Sequence, residues 1–295
     1  MRGAWGRRAV TSVPMLWLLL FFLVPFIIVF KISFSEVVIA MPPVAPLFES
    51  INGQIHVHLR LENFHRLLQD DLYVLSYLYS IRVAAISTLL CLLLAYPMAL
   101  GIARATGPWR NVLLMAVMLP FWTSLLLRVY AWIGLLQNNG VVNNVLIWLG
   151  WIKQPIVMMH TDFAVYIGIV YSYLPFMVLP LYSNLEKHDP TLLEAAADLG
   201  AHPARSFLRI TLPLSVPGIV AGSLLVFIPA VGEYVIPTLL GRPDQLMIGR
   251  VLSDEFFANR DWPVASAVAI AMLFLLVVPI LLFQRYQNRE LRSHA

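Results

Sequence analysis

Charge is scarce in this sequence. Only 12% of its 295 residues are Asp, Glu, Lys or Arg, whereas a water-exposed domain carries about a quarter. Such a chain cannot cover its surface with solvated side chains. Cysteine is almost absent: Cys91 alone, inside an apolar run, excludes a disulfide framework and a cysteine-based metal site. Lysine is nearly absent too. Lys31, Lys153 and Lys187 follow Phe30, Ile152 and Glu186, so no Gly-Lys-Ser/Thr phosphate loop exists and no nucleotide is cradled that way. Neither His-Glu-x-x-His nor Gly-x-Ser-x-Gly occurs, and the His56/His58 pair has no further ligands nearby in sequence. Metal-assisted and serine-type hydrolysis therefore have no constellation to rest on. The net charge of +4 and pI near 9.3 arise from cations scattered over short loops, not from a stripe, which argues against nucleic acid as a partner.

What the chain has instead is apolar length. Hydrophobic residues make up 60% of it and the mean hydropathy is +0.78. A helix needs roughly 20 apolar residues to cross ~30 Å of hydrocarbon. Apolar runs near 13–30, 81–102, 111–135, 163–183, 213–232 and 265–284 meet that length, and none alternates with the period of an outer-membrane strand. The fold expected is an all-α membrane protein of six transmembrane helices. The first run follows Arg2, Arg7 and Arg8 but is long for a signal peptide, and no small-x-small cleavage site follows at Lys31–Ile39. It reads as an uncleaved span.

Orientation follows from the cations. Arg2, Arg7, Arg8, Arg104, Arg110, Lys187, Arg205, Arg209, Arg285, Arg289 and Arg292 fall on one side of the expected spans. The much longer segments opposite hold Arg60, Arg66, Lys153, Arg242, Arg250 and Arg260. Both termini are thus expected in the cytoplasm. The outer segments also collect acids, among them Glu62, Asp70, Asp71, Asp162, Asp254 and Asp261, a weak pointer to a cationic solute. Leu61–Ser80 has helical spacing and runs into the second span. Val141–Trp151 is too short to cross and suits an interfacial helix, and Met41–Pro46 must be irregular.

The longest inner loop, Asn184–Thr211, is the most informative segment. Asp189-Pro190 is a helix start, Thr191–Leu199 is strongly helix-favouring, and Gly200 is a natural left-handed stop. Pro203 opens a second short helix, expected over Ala204–Ile210, before Leu212-Pro213 enters span five. Glu194-Ala195-Ala196, three residues, Gly200, nine residues, Ile210, one residue and Leu212-Pro213 match the EAA motif of binding-protein-dependent ABC importer permeases at every defined position. The chain resembles that family, and the likeness extends beyond the loop. Pro120–Ser124, Arg128–Tyr130, Tyr171–Tyr182 and Asn259–Pro263 look like its polyamine branch. Val231–Pro237 and Met247–Leu252 are similar to the putrescine permease subunit within it.

The resemblance implies a type I permease fold: an N-terminal helix and periplasmic loop over 1–77, a five-helix core over 78–284 and a cytoplasmic tail over 285–295. It implies that Glu194, Ala195, Ala196, Gly200, Ile210, Leu212 and Pro213 form a coupling helix seated on an ATPase. The expected partners are a homologous second permease subunit, two ATPase subunits, a periplasmic solute-binding protein and membrane lipid, in a bacterial inner membrane. ATP and Mg would bind the partner ATPase, and no cofactor is expected in this chain.

Candidates for the substrate path come from costly polar positions in spans. Glu233 lies about twenty residues, hence ~30 Å, beyond the inner end of span five, beside Gly232 and Tyr234. It could pair with an ammonium, with aromatic faces assisting. It could equally be an interfacial acid or the partner of Arg128. Trp122 and Tyr173 are further candidates, as either path or packing residues. Pro97, Pro120, Pro175, Pro180, Pro217, Pro229 and Pro279 should bend their helices. The rival function is an ion-gradient-driven transporter of small cations, which would use intramembrane acids but gives no reason for the 194–213 pattern. The topology has a direct check. In a cysteine-less background, single cysteines at Ser50, Thr106 and Ser293 should react with an impermeant thiol reagent outside intact cells only at residue 50. Labelling at 293 would mean a miscounted span.

Overall fold

The structure, a computed structural model, describes residues 2–51 and 54–293; residues 294 and 295 of the expected tail lie outside them. The chain begins with α1 (Arg2–Leu18) and α2 (Val24–Ile32), joined by one π-helical turn at Leu19–Leu23. A short hairpin follows, β1 (Phe48–Ile51) and β2 (Gln54–Val57), antiparallel with Phe48 opposite Val57. Next come α3 (Glu62–Gln69), α4 (Asp71–Arg104), α5 (Pro108–Met118), α6 (Leu125–Leu136), α7 (Val141–Trp148) and α8 (Asp162–Leu185). The remainder is α9 (Thr191–Asp198), α10 (Pro203–Ser206), α11 (Leu212–Val231), α12 (Val235–Leu240), α13 (Ile248–Ser253) and α14 (Trp262–Ser293). The helical class expected from sequence holds, with the hairpin as its one addition among the described residues.

Four helical stretches are long and apolar enough to cross a membrane: Val10–Ile32, Asp71–Arg104, Asp162–Leu185 and Pro203–Val231. The expected span 111–135 is not one helix. It breaks between α5 with its short 3-10 extension and α6, and the two pieces meet at 92°. Pro120 cannot donate a backbone hydrogen bond, and Thr123 and Ser124 are extended with ψ of 147° and 139°. Counting that bent pair as one span gives five. The sixth expected span, 265–284, falls within α14, a 32-residue helix whose sequence is apolar from Trp262 to Phe283.

Two compact units make up the chain: residues up to Val74 with those from Val251 onward, and Leu75–Arg250. In the first, α14 packs on α2 and α3. Asn63 donates to the Ser33 and Ser35 carbonyls at 2.9 Å each, satisfying the end of α2. Tyr73, fully buried, donates to Glu255 at 2.8 Å. Asp261 accepts from the Val264 amide at 3.1 Å and so caps α14.

The second unit is built around α8 and α11. Lipid is as apolar as the side chains it would replace, so association there depends on close packing more than on expelling water. Gly218 and Gly222, one helical turn apart, give α11 a flat face. A Cβ at Gly222 would lie 2.7 Å from the Met177 sulfur and 3.1 Å from the Met177 carbonyl; one at Gly218 would lie 2.7 Å from Asn184 Cβ. α4 offers small residues to the same core at Cys91, Ala95 and Ala99, which join Met177, Val178, Leu181 and Val226. Its opposite side exposes Leu75, Leu78, Leu89, Leu93 and Leu94, apolar outside as well as inside, as lipid contact requires. Some polar groups pair between helices: Tyr96 with Ser215 at 2.9 Å, and Tyr79 and Arg82 with Asp162 at 3.0 and 2.8 Å.

The glycine face has a measurable consequence. Gly222→Leu should lower the stability of the purified protein by ~1–3 kcal/mol in a thermal or denaturant melt. Gly134→Leu, where a Cβ meets nothing within 4 Å, should leave the melt unchanged.

Candidate functional site

The 184–213 segment folds as a helix, a reversal and a second helix. Asp189 Oδ1 accepts from the Thr191 amide at 3.0 Å, and that bond holds the exposed carboxyl below the usual carboxylate range. The helix α9 then ends at Gly200, whose φ of +74° only glycine adopts without cost. Gly200 N–H reaches the Ala197 carbonyl at 2.8 Å and Ala201 N–H the Ala196 carbonyl at 2.9 Å, the paired bonds of a Schellman stop. Extended His202 starts the second leg, its Nδ1 accepting from the Ala204 amide at 3.3 Å.

The second leg differs from the short separate helix expected over Ala204–Ile210. It runs without interruption from Pro203 to Val231. Pro213 lacks an N–H and would crowd the preceding turn of a regular helix. The π turn at Phe207–Thr211 accommodates it, with the Leu212 amide bonded five residues back to Phe207. Glu194, Ala195, Gly200 and Pro213 are exposed, Ala196, Ile210 and Leu212 partly so. Leu199 is 88% exposed, which in a soluble reversal would be a poor use of a leucine. Behind α9 lies a crevice of about 320 Å³ lined by Arg104, His188, Leu192, Leu193, Ile210 and Leu214, among others. Arg110 ties the ends of α4 and α8 together there. It pairs with Glu186 at 2.7 Å and donates to the Ala103 and Ala105 carbonyls at 3.2 Å, groups that a helix end leaves without partners.

The second candidate cluster lies at the other end of α11. Glu233 is only 7% exposed and occupies the bend between α11 and α12. Its Oε1 accepts from the Val235 and Ile236 amides at 3.1 and 3.4 Å, and Tyr173 of α8 donates to Oε2. The acid thus caps α12 while its charge stays at the bend. Gly249 presses on this turn so closely that a Cβ would lie 2.4 Å from the Gly232 carbonyl oxygen. The structure brings Glu233 and Tyr173 into contact. Tyr234, next to Glu233 in sequence, is 42% exposed, and Trp122 is 89% exposed; neither is among the hydrogen-bond partners of the carboxylate, which are Tyr173 and two amides.

The sequence reading passed over Phe121 and Phe176 as members of this cluster. Phe176 meets Phe121 edge-on at 4.8 Å and lies 6.0 Å from the Tyr173 ring. Arg128 stands over Phe121, its guanidinium carbon 5.9 Å from the ring centroid. Its Nε and Nη1 are buried and have no hydrogen-bond partner among the described residues. Arg128 is therefore not the ion-pair partner that Glu233 might have needed, since the acid's oxygens are held by tyrosine and amides. The Gly218/Gly222 spacing and Gly249 also went unread, although small residues four apart in a span are a recognisable packing signal.

Residues 112–293 match the family described as binding-protein-dependent transport system inner membrane component. The chain belongs to that family. The spermidine/putrescine transport system permease protein PotB of Salmonella typhimurium (strain SL1344) is 41% identical over 269 residues, 91% of this chain and 89% of that protein. PotB of Escherichia coli (strain K12) is 40% identical over 269 residues, 91% of this chain and 93% of that protein. The Haemophilus influenzae protein of that name is 38% identical over 279 residues, 95% of this chain and 93% of its own. Among solved structures, a bacterial ABC transporter involved in import of the acidic polysaccharide alginate superposes with TM-score 0.71 at 20% identity, covering 97% of this chain and 96% of that one. The alginate ABC transporter in complex with a pentasaccharide-bound periplasmic protein gives 0.72 at 19% identity, covering 97% and 95%. The fold is that of an ABC importer permease, which settles the fold class without fixing the number of spans.

The αL stop is the point at which the reversal can be tested. Gly200→Val places a β-branched residue at φ +74° and should misdirect both legs, whereas Gly200→Asn should be tolerated. The expected outcome for valine is normal membrane insertion with loss of substrate-stimulated ATP hydrolysis in the assembled transporter. Wild-type transport at equal expression would count against a coupling role for the loop.

Proposed function

We propose that this chain is one of two permease subunits lining the path of an ATP-driven importer of polyamines, putrescine in particular. The observation that carries the reading is the 41% identity to a spermidine/putrescine permease along 91% of this chain and 89% of that one. The likeness of Val231–Pro237 and Met247–Leu252 to the putrescine permease subunit favours the shorter diamine. A buried carboxylate held by Tyr173, whose ring continues through Phe176 to Phe121, is suitable chemistry for an ammonium ion.

In this proposal the homologous second permease completes the path. Two ATPase subunits bind ATP and Mg, and a periplasmic binding protein delivers the cargo. The chain itself carries out no bond-breaking chemistry. Glu194, Ala195, Ala196 and Gly200 form the surface that enters the ATPase, with Ile210, Leu212 and Pro213 fixing the second leg. The core spans 78–284, both termini face the cytoplasm, and lipid rather than nucleic acid surrounds the assembly. Closure of the ATPase pair moves the knuckle and, through α8 and α11, the bend at Glu233. A gradient-driven transporter would not need the knuckle at all.

Glu233→Gln keeps shape and hydrogen-bonding capacity while removing charge. Putrescine uptake into ATP-loaded vesicles held without an ion gradient should fall about tenfold or more, ~1.4 kcal/mol of transition-state stabilisation. Assembly and basal ATP hydrolysis should persist. Unchanged uptake would make Glu233 a structural cap of α12 and nothing else, and uptake that required an ion gradient would replace the ATP-driven reading.

A further inference from the structure

Arg128 is not explained by packing or by the fold. It sits on α6, which also exposes Leu126, Leu127 and Tyr130, so the helix does not lack apolar surface. Two of its guanidinium nitrogens are buried and unpartnered among the described residues. A methionine or leucine would suit the face of Phe121 at lower cost, because an apolar isostere avoids desolvating a charge. An arginine kept there needs a reason that its own hydrogen bonds do not supply.

The surroundings suggest one. Contacts run from Arg128 to Phe121, from Phe121 to Phe176, from Phe176 to Tyr173, and from Tyr173 to the Glu233 carboxylate. In a site of low dielectric, a fixed cation at the other end of this chain of contacts acts on any second cation that approaches the acid. A conducting path needs binding favourable enough to admit an ion and weak enough to release it. A buried carboxylate beside a tyrosine, with no opposing charge, would satisfy only the first condition.

We propose that Arg128 is the specificity-determining residue that keeps a cationic cargo from being trapped at Glu233: a tethered positive charge that weakens the ammonium–carboxylate contact and speeds departure. This rests on the proposed cation path. It predicts that removing the arginine improves binding and impairs transport, the reverse of what loss of a binding residue would do.

The test uses the assembled transporter. Complexes in lipid nanodiscs without binding protein are dialysed to equilibrium against radiolabelled putrescine, and the same variants are assayed for ATP-driven uptake. Arg128→Gln should bind putrescine about fivefold tighter or more while its maximal uptake rate falls. Arg128→Lys should behave as wild type in both assays, because a point charge is sufficient. Putrescine binding by Arg128→Gln no stronger than wild type overturns the proposal, as does a lysine variant that behaves like glutamine. In the Arg128→Gln background, Glu233→Gln should abolish the gained affinity; a gain that persists means the cation site itself is elsewhere. If Arg128→Gln fails to assemble and the Arg128→Gln/Glu233→Gln double variant assembles, the two residues are a structural charge pair and the proposal falls.

Discussion

The close approach of α8 and α11 is the constraint on which the rest of the larger unit depends. Lipid contributes little drive for two apolar helices to associate, so they must fit well enough for dispersion to hold them. Gly218 and Gly222 allow this, and the carbonyl of Met177 and the side chain of Asn184 fill the space that a larger residue would take. A candidate cluster lies at each end of α11. Between α8 and α11 hangs the reversal around Gly200, and at the far end Tyr173 of α8 meets Glu233 just beyond α11. α8 extends the arrangement to α12, because Gly168 admits Ile236 and Leu240 at distances no Cβ would tolerate.

Polar groups show the same economy. Asp162 accepts from both Tyr79 and Arg82, and Arg110 serves one carboxylate and two helix-end carbonyls. Glu233 takes three donors. Where these charges are given partners, buried nitrogens that are not stand out. Arg128 has two buried nitrogens without a hydrogen-bond partner among the described residues, and that contrast is more informative than the presence of an arginine in a span.

Several features could be read from sequence because they depend on local chemistry. Asp189-Pro190 starts a helix wherever it occurs in such a context, and the φ > 0 stop at Gly200 needs no tertiary help. The order and approximate extent of the apolar runs follow from hydropathy along the chain, and five of them lie within long continuous helices. The 92° break near Thr123 was hidden because an uninterrupted apolar run looks alike whether it crosses straight or turns back. Pro120 was visible, but a proline in a span more often bends a helix than ends it. The π turn before Pro213 was also hidden, since one extra residue per turn leaves no mark on hydropathy. The capping of α12 by Glu233 was missed for a different reason. Its donors, Tyr173 and two amides, come together only when α8, α11 and the short helix meet.

A helical pair with one site at each end suggests how such a chain could carry force. Between Pro213 and the bend at Glu233 the helix rises ~30 Å, and it contains Pro217 and Pro229, each of which removes a backbone hydrogen bond. A flexible rod would lose a displacement at those points. Here the glycine face lies between the two prolines, so the helix is clamped to α8 along the stretch where it would otherwise bend. Movement applied at the Gly200 reversal is then shared by both helices and reaches the turn that Tyr173 holds to Glu233. Loosening the clamp would leave both ends locally intact and still separate them mechanically, which is why the packing face between the sites matters as much as the residues within them.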